Sequence, residues 1–200
     1  MSTDTREASG DVTRLERPLA APASLFEGYR ESLKSTRSLG PTVDLASGRG
    51  RNALPAAKTL GSVIAVDRNR SFLDELGQRS QSAGLHVARL QTDLETDFGL
   101  PLKTGSAGSI LVFRYLHRPL AKAIESLLAP GGWLLYETFT LAQAERATGP
   151  SRPDFLLRPD ELRLMFPGLE VIHYEETKPS DPSQPDHGDA TAQLVARKPH

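Results

Sequence analysis

Short apolar stretches alternate with amphipathic stretches along the middle of the chain. Apolar stretches of strand length predict five buried strands, at residues 41–47, 62–67, 85–93, 108–113 and 133–140. Apolar side chains at helical spacing predict four helices, at residues 24–38, about 51–60, 69–84 and 118–132. Strands and helices that alternate in this way are typical of a parallel sheet covered by helices on both faces.

The pattern changes after residue 141. A polar stretch runs to Pro159 and is followed by a short predicted helix at 161–166 and a strand at 169–176. The next predicted strand, 189–198, comes after a proline-rich segment with no helix in it. Two strands joined only by a loop are expected to be antiparallel. The predicted fold is therefore a single Rossmann-like, doubly wound α/β sheet of seven strands, mostly parallel with an antiparallel last strand.

The predicted domain organisation is simple. Residues 1–22 are polar and lack periodicity, which indicates a flexible N-terminal arm, and residues 23–200 form one folded domain. The proline-rich segment 178–189 is predicted to be a surface loop.

Charge and cysteine content narrow the range of functions. The formal net charge is −1, whereas proteins dedicated to nucleic acid usually carry a basic excess, so such a partner is disfavoured. The chain has no cysteine, which excludes disulfides, thiolate metal sites and a cysteine nucleophile. The five histidines show no metal-ligand spacing, and no metal is expected. Because no apolar run reaches the roughly 18 residues of a membrane span, no membrane partner and a cytoplasmic location are expected.

The segment Gly48-Arg49-Gly50 follows the first predicted strand and opens a helix. Glycines at this place let a ligand approach the backbone, and the helix start offers unpaired N–H groups to it. The segment also satisfies G-x-G-x-x-A, the dinucleotide fingerprint. The loop by itself therefore leaves S-adenosylmethionine and NAD(P) open as cofactors.

Acidic residues at the ends of successive strands change this balance. Asp44, Asp67 and Asp93 stand at the ends of the first three predicted strands, and Asp67 lies 17 residues beyond Gly50. Ligands of open α/β sheets bind at the carboxyl ends of the strands. A carboxylate there can accept two hydrogen bonds from a ribose diol, and another can accept from an adenine amino group.

This ordered set resembles the class I methyltransferases that use S-adenosylmethionine, over roughly residues 40–198. The matching segments are VDLASGRG (43–50), IAVDRN (64–69), LQTDLE (90–95), ILVFRYLHRPL (110–120) and LLAPGGWLLYETFT (127–140). FRYLHRPL, YETFT and FLLRPDEL (155–162) further resemble a bacterial branch labelled tellurite-resistance-type methyltransferase. Ala46 replaces the first glycine of the family motif, and we expect it to be tolerated at a negative φ.

The resemblance implies a role for each matched position. Asp44, with the backbone at Ala46, Gly48 and Gly50, would face the methionine end of S-adenosylmethionine. Asp67 and Arg68 would hold the ribose, and Asp93 and Leu94 the adenine. The family places the reacting methyl group after the fourth strand, so Arg114, Tyr115 and His117 are the candidate catalytic residues, with Arg114 also near the cofactor.

Several details stay open at this stage. Arg114 is expected to pair with Glu137, or to orient a polar or anionic acceptor. His117 could act as a general base. Phe155–Leu157 and the 178–189 loop are candidates for a substrate lid. The predicted function is methyl transfer to a small-molecule acceptor; the alternatives are an NAD(P)-dependent oxidoreductase and a non-catalytic adenosyl-binding partner subunit.

Overall fold

The computed structural model describes residues 18–96, 99–177 and 188–200. The predicted N-terminal arm falls mainly on residues 1–17, and most of the predicted surface loop falls on residues 178–187. Both therefore lie outside the described residues and stay predictions. Ala23 is buried, and its N–H donates to Asn52 Oδ1 at 2.9 Å.

The described residues form seven strands in one sheet. The strands are β1 (Thr42–Leu45), β2 (Val63–Asp67), β3 (Val87–Gln91), β4 (Ala107–Phe113), β5 (Leu128–Phe139), β6 (Glu170–Glu176) and β7 (Thr191–Arg197). Their order in the sheet is β3-β2-β1-β4-β5-β7-β6. The pairs β3–β2, β2–β1, β1–β4 and β4–β5 are parallel, and β7 is antiparallel to both β5 and β6. The predicted fold class and the antiparallel end are confirmed.

Helices cover both faces of the sheet. They are α1 (Ser24–Tyr29), α2 (Ala53–Leu60), α3 (Arg70–Ser82), α4 (Ala121–Leu127) and α5 (Glu161–Leu164), with 3-10 turns at Ser32–Thr36, Arg118–Leu120, Leu141–Glu145 and Pro153–Phe155. On one face the buried side chains of α1, α2 and α3 form a core with Ala65, Leu111 and Leu135. On the other face those of α4 and α5 pack over Val43, Ile110 and Leu134. The two layers bury the apolar sides of the strands and make the sheet doubly wound.

The continuous helix predicted at residues 24–38 is wrong. The α-helix ends at Tyr29, and the chain continues as a 3-10 helix over Ser32–Thr36. Two side-chain hydroxyls of this second piece bond to carbonyls three residues back, from Ser35 to Ser32 at 2.7 Å and from Thr36 to Leu33 at 2.8 Å. Such local bonds compete with the α-helical pattern.

The helix predicted at 118–132 is also too long. It begins as a 3-10 turn and ends at Leu127, and β5 starts at Leu128 instead of Trp133. The Pro130-Gly131-Gly132 segment is part of that strand and causes an irregularity in its pairing with β4. Backbone bonds hold it to the end of the chain, since Gly131 N–H donates to Lys198 O at 2.9 Å and Lys198 N–H to Gly132 O at 2.8 Å.

The carboxyl ends of β1, β2, β4 and β5 meet at one edge of the sheet because these strands are parallel. In sheets of this kind, that edge is where ligands bind. Across the three described ranges, no helix combines the length and apolar character needed to cross a membrane.

Candidate functional site

A cavity of about 370 Å³ opens at the carboxyl edge of the sheet. Its volume lies within the range of small-molecule sites. Both polar and apolar side chains line it. The lining residues are Ala46, Asp67, Arg68, Thr92, Asp93, Leu94, Glu95, Arg114, Tyr115, Leu116, Thr138, Phe139, Pro150 and Phe155.

Asp67 ends β2 and joins the glycine loop to the start of α3. Its Oδ2 accepts from the Gly48 N–H at 2.8 Å, and its Oδ1 accepts from the Asn69 N–H at 2.8 Å. Asn69 in turn caps α3, because its side chain accepts from the Phe72 N–H at 3.3 Å. Each carboxylate oxygen has a further lone pair, so Asp67 can also accept hydrogen bonds from a ligand in the cavity that it lines.

The loop after β1 takes a left-handed backbone at three positions. Gly48 has φ 54° and Gly50 has φ 89°. Ala46 has φ 53°, so the expectation that it keeps a negative φ is wrong. The left-handed region brings Cβ close to the following carbonyl oxygen, at a cost of roughly 1–2 kcal/mol for a residue with a side chain. Ala46 lines the cavity at this strained position.

Replacement of Ala46 with glycine is expected to stabilise the fold by about 0.5 kcal/mol. The substitution removes the left-handed strain, and the greater freedom of glycine in the unfolded chain offsets part of that gain. Urea unfolding at fixed pH measures the difference.

Gly50→Ala is the matched control in the opposite direction. A Cβ at Gly50 would lie 2.2 Å from Leu76 Cδ1 and would stand at φ 89°. We expect a loss of about 2 kcal/mol, because a core side chain must move and the backbone is strained. Equal effects of the two substitutions would contradict the assignment of strain to Ala46.

Asp44 lies in β1 and is 2% exposed. Its Oδ2 has no hydrogen-bond partner among the described residues. Burial raises the pKa of the Asp44 carboxyl to about 8, against a backbone hydrogen bond from Ala53 that lowers it. The nearby Arg51 guanidinium also has a buried Nε without a partner in the described chain. A buried carboxylate oxygen with no partner fits a ligand that brings a positively charged donor.

Asp93 does not end the third strand, as the sequence predicted; β3 stops at Gln91. The carboxylate lies in the turn that follows, where its Oδ1 accepts from the Glu95 N–H at 2.9 Å. Asp93 lines the cavity together with the buried Leu94 beside it. Arg68, next to Asp67, lines the same end.

Arg114 follows β4 in a left-handed conformation, with φ 57°. Its side chain pairs with Asp189, at 2.5 Å, and its guanidinium carbon lies 5.6 Å from the centre of the Phe139 ring. The predicted Arg114–Glu137 pair is therefore wrong. Glu137 instead accepts from Gln193 at 2.7 Å, and burial raises the pKa of its carboxyl.

Tyr115 and His117 follow Arg114 but lie in different surroundings. Tyr115 lines the cavity, and its hydroxyl is buried with no partner in the described chain. Burial raises the pKa of the Tyr115 hydroxyl. The backbone carbonyl of Tyr115 accepts from the Tyr136 hydroxyl at 3.0 Å. His117 precedes the 3-10 turn Arg118–Leu120 and is not among the residues that line the cavity.

Of the predicted lid, the 178–189 loop falls mainly outside the described residues, and in the segment Phe155–Leu157 one residue lies at the cavity. Phe155 lines it and is 40% exposed, whereas Leu156 and Leu157 are buried in the core. Thr92, Thr138 and Pro150 also line the cavity but were not singled out in the sequence. Thr92 directly follows β3, and Thr138 is the last residue but one of β5, and these positions were the available signal. Within the described ranges, no group of three or more acidic or histidine side chains could hold a metal ion.

Comparisons with known proteins agree with this geometry. Residues 42–132 match a family model described as a methyltransferase domain. None of the curated protein sequences matches the chain significantly.

Several solved structures have the same fold. TehB from Haemophilus influenzae has a TM-score of 0.66 at 17% identity over 86% of this chain, which spans only 62% of TehB. A SAM-dependent methyltransferase from Aquifex aeolicus has a TM-score of 0.61 at 17% identity, over 94% of this chain and 97% of that one. An S-adenosylmethionine-dependent methyltransferase from Mesorhizobium loti has a TM-score of 0.62 at 17% identity, over 86% and 100%.

At these identities the structural likeness establishes the fold, and the matched domain covers the glycine loop and the strand-end acids. The family resemblance and the cofactor predicted from the motifs are confirmed. Residues 42–132 are thus a methyltransferase domain, and S-adenosylmethionine is the cofactor that this domain and its fold indicate.

Proposed function

We propose that the protein transfers the methyl group of S-adenosylmethionine to a small-molecule acceptor by in-line displacement. The observation that carries this proposal is the cavity at the carboxyl edge of the sheet. Its lining combines the acidic side chains of Asp67, Asp93 and Glu95 with the apolar side chains of Phe139, Pro150 and Phe155. A pocket of about 370 Å³ suits a cofactor and a small acceptor better than a macromolecule.

The acidic lining residues, together with the end of β1 and the loop that follows it, would hold the cofactor. Asp44 and the backbone from Ala46 to Gly50 would take the methionine end, because Asp44 has a buried oxygen without a partner for an ammonium group. Asp67 would accept from the ribose hydroxyls, with Arg68 beside it. Asp93 would accept from the adenine amino group, and the buried Leu94 would cover the ring.

The cofactor supplies a methyl group on a sulfonium, which is already a good leaving group. The protein's tasks are therefore to align the acceptor, to exclude water and to offer a fixed electrostatic surrounding. Arg114 and Tyr115 come from the end of β4 and line the cavity, where they would orient the acceptor. No described histidine lines the cavity, which favours an acceptor that is nucleophilic without a strong base.

The balance of charge favours this cofactor over a dinucleotide. Three acids, Asp67, Asp93 and Glu95, and two arginines line the cavity. A cationic sulfonium is favoured in such surroundings, whereas a pyrophosphate would meet like charges. The oxidoreductase alternative therefore has weaker support, and the cytoplasmic location stays a prediction from the sequence.

Titration calorimetry with S-adenosylmethionine and, separately, with NAD tests the cofactor site. We expect binding of the first and none of the second. Transfer of a radiolabelled methyl group to a panel of small thiols, phenols, amines and amides then tests the reaction. Binding without turnover on any acceptor would favour the partner-subunit alternative, and turnover of amide nitrogens alone would contradict an acceptor that needs no base.

Tyr115→Phe is expected to lower kcat about tenfold and to leave cofactor affinity within twofold. The substitution removes the buried hydroxyl of a cavity-lining residue, which has no partner among the described residues, and a lost hydrogen bond of about 1.5 kcal/mol gives this factor. His117→Ala serves as the control and tests the general-base hypothesis. A loss larger than a hundredfold in the His117 variant, with Tyr115→Phe unaffected, would reverse the two assignments.

A further inference from the structure

Three segments that were singled out in the sequence, FRYLHRPL, YETFT and FLLRPDEL, come together beside the cavity. Arg118, in the first, donates to Glu161 through Nε at 2.5 Å and through Nη2 at 3.0 Å. The same guanidinium donates to two backbone carbonyls, Asp154 O and Leu156 O, each at 2.9 Å. Arg118 thus holds both residues that flank Phe155, as well as the start of α5.

The other side of this segment is tied to the end of β5. Leu157 N–H donates to Phe139 O at 2.9 Å, and Leu141 N–H donates to Leu157 O at 2.9 Å. Thr140 and Leu157 form a parallel bridge. The backbone of residues 154–157 is therefore hydrogen-bonded to Arg118 on one side and to the end of β5 on the other, and this backbone carries Phe155.

Phe155 is only partly covered by the protein. Its side chain is 40% exposed, lines the cavity and has the Arg152 guanidinium over its ring, with 5.2 Å from the guanidinium carbon to the ring centre. A large apolar side chain this exposed at a cavity costs free energy unless something covers it. Its place depends on the backbone that Arg118 holds.

The surroundings of Phe155 indicate what would cover it. Phe139, whose carbonyl accepts from the Leu157 N–H at 2.9 Å, and Pro150 also line the cavity. Arg114 also lies there, but its charge is paired with Asp189, so an anionic acceptor would have to displace that carboxylate. Ring faces and proline favour contact with an aromatic or other apolar body.

We propose that Arg118 is a positioning residue, which holds Phe155 as one wall of the acceptor end of the cavity, and that this end takes an acceptor with an aromatic body. This proposal rests on the proposed function, since it assigns the acceptor to the part of the cavity not assigned to the cofactor. Arg118 does not line the cavity and acts through the backbone on both sides of Phe155.

Binding of 2-naphthol to protein saturated with S-adenosylhomocysteine tests the proposal by calorimetry. We expect the natural chain to bind 2-naphthol and to bind inorganic phosphate more weakly or not at all. Phe155→Ala should weaken 2-naphthol binding about tenfold, by loss of apolar contact. Arg118→Met should weaken it to a similar extent, while S-adenosylhomocysteine affinity stays within twofold in both variants.

The double variant separates positioning from a general loss of stability. If Arg118 acts through Phe155, Arg118→Met together with Phe155→Ala should bind 2-naphthol no more weakly than Phe155→Ala alone. Arg163→Met is the matched control, because Arg163 lies on α5, the helix of Glu161, in an exposed pair with Asp160 at 2.9 Å. It should move neither affinity.

Each outcome bears on one proposal. Absence of S-adenosylhomocysteine binding would overturn the proposed function, whereas retained binding without 2-naphthol binding would overturn the acceptor assignment alone. Tighter binding of phosphate than of 2-naphthol would do the same. Independent, additive losses in the double variant would show that Arg118 does not act through Phe155. If Arg118→Met does not fold, unchanged 2-naphthol binding in Phe155→Ala still overturns the proposal.

Discussion

Replacement of Asp67 with alanine is expected to weaken S-adenosylmethionine binding by about 2 kcal/mol, roughly thirtyfold, which is the scale of lost hydrogen bonds to a charged group. Two effects act together. The ribose hydroxyls would lose the carboxylate as their acceptor. The Gly48 N–H, which donates to Asp67 Oδ2 at 2.8 Å in the natural protein, would also lose its acceptor. Calorimetry at constant salt and pH measures the change.

Two further variants make this result specific. Asp67→Asn keeps the shape but leaves one acceptor oxygen for the two N–H groups of Gly48 and Asn69, so an intermediate loss is expected. Asp74→Ala removes an exposed carboxylate on α3 that forms pairs with Arg70 and Arg89, and should leave binding unchanged. Unchanged affinity in Asp67→Ala would remove Asp67 from the cofactor site.

Asp44→Asn is expected to stabilise the ligand-free protein at pH 8, by an amount on the order of 3 kcal/mol. Burial raises the pKa of this carboxyl from 3.8 to about 8 in the folded state. Between about pH 4 and pH 8 the folded chain therefore keeps a proton that the unfolded chain has released, and the contribution of Asp44 to stability falls as pH rises. Asparagine does not titrate, so the difference between the two proteins should grow across this window.

The same substitution should act in the opposite direction on cofactor binding. An ammonium group on the Asp44 oxygen favours the ionised carboxyl, so binding by the natural protein should release a proton and strengthen as pH rises from 6 to 8. Asp44→Asn should bind more weakly and lose this pH dependence. Urea unfolding and calorimetry at several pH values check both effects; parallel stability profiles of the two proteins would contradict the raised pKa.

The local pattern predicted most of the fold but misplaced element ends. The helix at residues 118–132 looked continuous because Leu120, Ile124 and Leu127 share one face, and Pro130-Gly131 looked like its stop. The chain turns into β5 at Leu128 because that strand pairs with β4 and with the end of the chain. Pairing over such distances leaves no periodic trace in the segment itself.

The candidate site divides in the same way. The three acids were visible in the sequence because each lies within two residues of the end of a strand, and parallel strands bring their ends to one edge. The Arg114–Asp189 pair joins residues 75 positions apart and replaced the nearer partner Glu137. The left-handed φ of Ala46 was also unpredictable, since alanine has no preference for it and the surrounding loop imposes it.

By itself the sequence determined the fold class and the glycine loop, because these depend on periodicity and on short motifs between neighbouring elements, and its resemblance to a known family indicated the cofactor. Only the tertiary structure decided which side chains meet at the proposed acceptor end of the cavity. Arg118 and Glu161, 43 positions apart, and Phe139 beside Phe155, are brought together by the packing of the sheet and its last helices. Contacts of this kind depend on how whole elements dock, which no single stretch of the chain encodes.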